Sequence, residues 1–81
     1  MLLADGFELA LIGHVEQNNG SHVACYNRDS CIRILEERDG MTEEDAEEFF
    51  AFNVEGSYMG ELTPIYVRTA TVEDLHELAN T

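Results

Sequence analysis

The chain has no lysine, no tryptophan, one proline (Pro64) and two cysteines, Cys25 and Cys31, in 81 residues. Its full-time cations are Arg28, Arg33, Arg38 and Arg68. So few positive charges argue against direct nucleic-acid binding, because that affinity comes mainly from cationic groups displacing counterions from phosphates. An anionic membrane surface is disfavoured for the same reason. The cysteines stand six positions apart, outside the short spacing of zinc sites, and no histidine pair follows at finger spacing, so neither a metal nor another cofactor is expected. No run approaches the roughly 20 apolar residues of a membrane span. The opening Met1-Leu2-Leu3-Ala4-Asp5-Gly6 has no basic region ahead of an apolar one, so no signal peptide is expected. A cytoplasmic protein with reduced thiols follows as the expectation.

What the chain has in excess is acid. Seventeen Asp and Glu set a formal net charge of −13. Eight of them lie between Glu36 and Glu48: Glu36, Glu37, Asp39, Glu43, Glu44, Asp45, Glu47 and Glu48, against Arg38 alone, a net charge of −7. The apolar fraction of 44%, with four Phe, three Tyr and three Met, is enough for one small core. A chain of this length buries about 60% of the surface that its unfolded form exposes, so a single domain over residues 1–81 is expected, with modest stability. Self-association would add buried area.

Local pattern predicts an α+β domain with a small sheet. Ser21–Tyr26 reads as a strand with Val23 and Cys25 on one side and His22, Ala24 and Tyr26 on the other. Asn18-Asn19-Gly20 before it is a tight-turn signal, which makes a third strand near Leu9–Val15 part of a hairpin. A short helix near Phe7–Leu11 is the competing reading. Asn27 can cap a helix over about 28–38, with Cys31, Ile32, Ile34 and Leu35 on its apolar side and Gly40 suited to the left-handed stop. Thr42 caps a second helix over about 43–54, Asp45 sits at the capping-box position, and Ala46, Phe49, Phe50, Asn53 and Val54 form its inward stripe. Pro64–Arg68 reads as a second clear strand. Thr71-Val72-Glu73-Asp74 opens a terminal helix over about 72–79 carrying Leu75, Leu78 and Ala79.

The run Cys31-Ile32-Arg33-Ile34-Leu35-Glu36-Glu37-Arg38-Asp39-Gly40-Met41-Thr42 resembles part of a family of short uncharacterised acidic bacteriophage proteins. So do Ala46-Glu47-Glu48-Phe49-Phe50-Ala51-Phe52-Asn53-Val54 and, further on, Gly56, Gly60, Glu61, Thr63 and Pro64. The resemblance spans roughly residues 24–67. It implies a phage or phage-derived origin, with the bacterial host cell as location. That family has no established activity, so no functional residue is carried over.

The candidate site is therefore the acidic hairpin itself: Glu36, Glu37, Glu43, Glu44, Glu47 and Glu48. At 1.5 Å rise per helical residue the cluster would present one acid per about 2.4 Å, against one charge per about 1.7 Å in duplex DNA. A surface that imitates nucleic acid is thus within reach, and a basic host or phage protein is the expected partner. The plainer alternative is a solvated hairpin that only keeps a small protein soluble. Two further readings stay open. One is a self-assembling module that buries Phe52, Tyr58 and Tyr66 between subunits. The other is a small metal protein or enzyme that gathers Cys25 and Cys31 with His14, His22 or His76. No reaction-specific motif is present, so no catalytic residue is assigned.

Overall fold

Alternation along one strand decides the two faces of the sheet. Ala24 and Tyr26 face the helices and Val23 and Cys25 face the other way, and all four are buried, as befits a central strand. In the computed structural model, which describes residues 1–80, this strand β2 (His22–Asn27) lies between β1 (Leu11–Glu16) and β3 (Ile65–Val67). The β1–β2 pair is antiparallel and the β2–β3 pair is parallel. The helices are α1 (Arg28–Asp39), α2 (Glu43–Phe50) and α3 (Val72–Ala79), giving an α+β fold.

The hairpin differs in detail from its expectation. Glu8–Ala10 forms a single 3₁₀ turn and the strand starts only at Leu11, so helix and strand readings each hold for part of this stretch. Leu11 pairs with Tyr26 and Gly13 with Cys25, which leaves Ile12 as the extra residue of a β-bulge. The turn is not a two-residue Asn-Gly turn. Gln17 N–H donates to Ser21 O at 2.7 Å, and the loop between them takes positive φ only at Gly20. The Asn19 side chain accepts from Ser21 N–H at 2.9 Å and steadies it.

Both hairpin helices carry the caps expected of them. The Asn27 side chain accepts from Ser30 N–H, and Gly40 stops α1 at φ 67°, in the left-handed region. The Thr42 side chain accepts from Asp45 N–H at the start of α2. Cys31, Ile32 and Leu35 from α1 and Ala46 and Phe50 from α2 meet Ala24 and Tyr26 of the sheet, and Phe7 and Ala10 close the cluster. Phe50 is the centre. Its ring stands edge-on to Phe7 (centroids 5.6 Å apart) and to Tyr66 (5.0 Å). Full burial of a side chain this size is worth about 1.5–3 kcal/mol. The Tyr26 ring stacks on Tyr66, and its hydroxyl accepts from Ala4 N–H at 2.8 Å, tying down the N-terminal segment.

Two expectations about α2 are corrected. Its α-helical part ends at Phe50, and Ala51–Glu55 form a π-helical turn that stops at Gly56. Wider winding rotates the residues after Phe50 off a straight 3.6-residue stripe. Ala46 and Phe50 alone anchor the helix, with Val54 half-buried, while Phe49, ahead of the π-turn, is 40% exposed and Phe52 76% exposed. At the far end α3 carries a complete capping box between Thr71 and Asp74, yet every one of its residues is exposed. The chain has a radius of gyration of 13.8 Å, against about 12 Å for a compact domain of this length. Among the described residues no helix is long and apolar enough to cross a membrane.

Candidate functional site

The acidic hairpin places its carboxylates by two simple rules. On α1 the inward stripe of Cys31, Ile32 and Leu35 leaves Glu36 half-buried and Glu37 exposed. On α2 the anchors Ala46 and Phe50 turn Glu43, Glu44, Glu47 and Glu48 outward or to the flank. Glu36, Glu37, Glu43 and Glu47 line one shallow groove between the helices, together with Asp29, Arg33 and Ile32. Five carboxylates against the Arg33 guanidinium leave that groove strongly negative. Glu48 belongs to a neighbouring depression with Asp45, Phe49, Phe52 and Asn53. Glu44 lines neither. The six expected residues therefore form a four-residue groove, a flank with two exposed aromatic rings, and one separate acid.

Glu47 is committed to the fold as well as to the groove. Arg28 opens α1, is 5% exposed, and lies with its ring-facing side over Phe50 at 5.4 Å. Its Nη1 is 2.8 Å from Glu47 Oε2, and its Nε donates to Glu55 Oε1 at 2.9 Å. Burial disfavours the Arg28 cation, and the hydrogen bonds to Glu47 and Glu55 outweigh that cost, so its pKa lies above the usual arginine value. Arg38 behaves similarly at the other end of the helix. It donates from Nε to Asp39 Oδ1 at 3.0 Å and from Nη1 to Gly6 O at 2.8 Å, and holds the Asp39 carboxyl below its ordinary pKa. Two of the four arginines thus pair with acids of the cluster, Arg28 with Glu47 and Arg38 with Asp39. Glu36, Glu37, Glu43 and Glu48 form none of the ion pairs found among the described residues.

The thiols and imidazoles do not gather. Cys25 projects from the outer face of the sheet and Cys31 into the core, and both are free and buried. Burial pushes the Cys31 thiol up to about 11, which keeps it protonated at neutral pH and poorly nucleophilic. The hairpin does bring His14 and His22 together, with Nδ1 atoms 2.9 Å apart, so one ring donates and the other accepts. Neither cysteine joins them. Among the described residues no group of three or more His, Cys, Asp or Glu could hold a metal ion.

The exposure of Phe49 is what sequence reasoning missed, since an exposed Phe52 was one of the open readings. Phe49, Phe50 and Phe52 look equally apolar in the sequence, but the helix turns its Ala46–Phe50 side inward and leaves the other two rings exposed. Compared with known proteins, the chain matches no family model, no curated protein and no solved structure.

Proposed function

We propose that this is a non-enzymatic accessory protein, of the bacteriophage type that its sequence resembles, which binds a basic partner protein through the groove between α1 and α2. The observation that carries the reading is the convergence of Glu36, Glu37, Glu43 and Glu47 with Asp29 on one concave surface. Beside it, Phe49 and Phe52 offer apolar contacts next to Asp45 and Glu48. Negative charge steers a basic partner and raises its association rate, while the two rings supply contact area that excludes water. A groove of this charge fits an arginine-rich helix or strand, and such a partner would otherwise bind nucleic acid. Competition with nucleic acid for that partner is the sharper form of the proposal.

The test uses an arginine-rich helical peptide as probe, titrated against the full chain at rising salt. Affinity should fall steeply with ionic strength. The variant Glu36→Gln/Glu37→Gln/Glu43→Gln/Glu48→Gln should lose binding while keeping its fold, because none of these four side chains is buried. Affinity capture from a bacterial lysate with this variant as control then identifies the natural partner. Binding that is indifferent to salt, or unchanged in the variant, would remove the proposal.

A further inference from the structure

His14 and His22 meet because the hairpin register makes them diagonal neighbours. His14 lies opposite Ala24, and Glu16 lies opposite His22. Since side chains two apart on a strand share a face, His14, Glu16 and His22 stand together on one side of the hairpin. The two imidazoles lean toward each other across the diagonal, with ring centroids 4.9 Å apart and Nδ1 atoms 2.9 Å apart. Both residues are exposed. The backbone beneath them is pinned at the turn. Gln17 N–H donates to Ser21 O at 2.7 Å, and Gln17 Nε2 donates to Glu61 O at 3.2 Å. Strand pairing and turn therefore set the spacing of the rings, which is a form of preorganisation.

We infer that His14 and His22 form a two-imidazole chelate for a divalent transition-metal ion of tetragonal geometry, with Cu²⁺ first among them. Two nitrogens held by one ion at about 2.0–2.1 Å stand about 2.9 Å apart at a right angle and about 3.3 Å apart at a tetrahedral angle. The Nδ1 separation of 2.9 Å is the right-angle value. Ligand number agrees. Among the described residues no group of three or more His, Cys, Asp or Glu is placed to hold a metal. A closed four-ligand zinc site is therefore not built here, whereas Cu²⁺ takes two cis imidazoles and fills its other positions with water. Charge agrees as well. Glu16 is the only charged side chain between Leu11 and Asn27, and the whole chain carries −13, so a dication is attracted to this face. Loading requires one proton to move. The hydrogen bond between the rings uses one Nδ1–H, and the chelate uses both Nδ1 lone pairs. The donating ring passes its proton through solvent to its own Nε2 and becomes the other neutral tautomer. No proton is lost and no oxidant is consumed. The rings then turn until both lone pairs converge on the ion.

Cu²⁺ alone is the probe, titrated calorimetrically into the full chain in the presence of excess Mg²⁺. Mg²⁺ occupies carboxylate oxygens and leaves imidazoles free, so it masks the diffuse acidic surface. One equivalent of Cu²⁺ should bind, and electron paramagnetic resonance should show a tetragonal signal split by two nitrogens. His14→Ala and His22→Ala should each weaken binding by at least about tenfold and remove the two-nitrogen pattern. His76→Ala, at the remaining histidine, should leave affinity unchanged. The hairpin imidazoles are exposed, and circular dichroism checks that each variant keeps its fold. A signal from oxygen ligands alone would overturn the inference. So would an affinity indifferent to His14→Ala and His22→Ala, or a site lost in His76→Ala. None of these outcomes bears on the groove between α1 and α2, whose peptide probe binds without metal. Conversely, the Glu36→Gln/Glu37→Gln/Glu43→Gln/Glu48→Gln variant should keep the copper site.

Discussion

Arg28 and Glu47 join the first residue of α1 to the middle of α2 across 2.8 Å, with the guanidinium buried and the carboxylate at the groove's edge. Glu55 completes the arrangement from the π-turn. A buried cation stripped of both partners pays its full desolvation cost. Glu47→Ala and Glu55→Ala together should therefore cost about 3–5 kcal/mol. Either single change should cost less, with Glu55→Ala the larger because its carboxylate is the more buried of the two. Urea denaturation of the two single variants and the double variant measures these costs and the coupling between them.

Alkaline pH should weaken the fold before neutral pH does. Burial raises the Cys31 thiol from its ordinary 9.0 to about 11 and the Tyr66 hydroxyl from 10.0 to about 12. Both groups stay neutral in the folded chain over a range where the unfolded chain already ionises. The unfolded state then binds fewer protons, so stability falls as pH rises from about 9 to about 12. The Cys31 contribution is about 2–3 kcal/mol at its limit. Thermal unfolding followed from pH 7 to pH 11 should show the midpoint dropping above pH 9, and Cys31→Ala should blunt the lower part of that drop. Native protein should also resist thiol alkylation at neutral pH.

Gly56 ends the π-turn because no side chain fits there. A Cβ at this position would stand 2.9 Å from Phe52 O and 3.0 Å from Ala51 O, both backbone atoms that cannot swing aside. Gly56→Ala should destabilise the fold by about 1–3 kcal/mol. It should also disturb the setting of Phe52, so peptide binding at the groove's flank should weaken in the same variant. Denaturation and the peptide titration read the two effects separately.

Thr71 controls whether α3 exists at all. Its hydroxyl accepts from Asp74 N–H, and the Asp74 carboxylate accepts from Thr71 N–H. Thr71→Ala removes half of this capping box, a loss of about 1 kcal/mol to a helix with few other supports. Helical signal should fall by an amount set by α3 alone, which circular dichroism measures.

Much of the fold was legible because local chemistry dictates it. Asn27, Gly40, Thr42 and Thr71 mark helix ends by hydrogen-bonding needs that no tertiary contact has to supply. Strand β2 announces itself by alternation, and β3 by Ile65 and Val67 flanking Tyr66. What stayed hidden depends on partners distant in sequence. Nothing near Ile65 says that it will lie parallel to Cys25. The exposure of Phe49 follows from the core taking up the Ala46–Phe50 side of α2, a choice made by packing rather than residue type. For the candidate site, the acidity of Glu36, Glu37 and Glu43 was plain, but the diversion of Glu47 to Arg28 was not. Arg28 sits at the start of α1, nineteen positions away from Glu47 in the chain.

The parallel pairing of β2 with β3 also sets an order of events in folding. The β1–β2 hairpin closes through a short loop, on the microsecond scale of local structure. Strand β3 has no such turn to zip from, since the whole of residues 28–64 lies between the end of β2 at Asn27 and the start of β3 at Ile65. Its three residues can dock only after α1 and α2 have collapsed onto the hairpin and delivered the chain back to the sheet. That late, non-local closure should limit the folding rate. A nascent chain that has emerged only as far as α2 would expose Tyr26 and Phe50 until Tyr66 arrives to cover them.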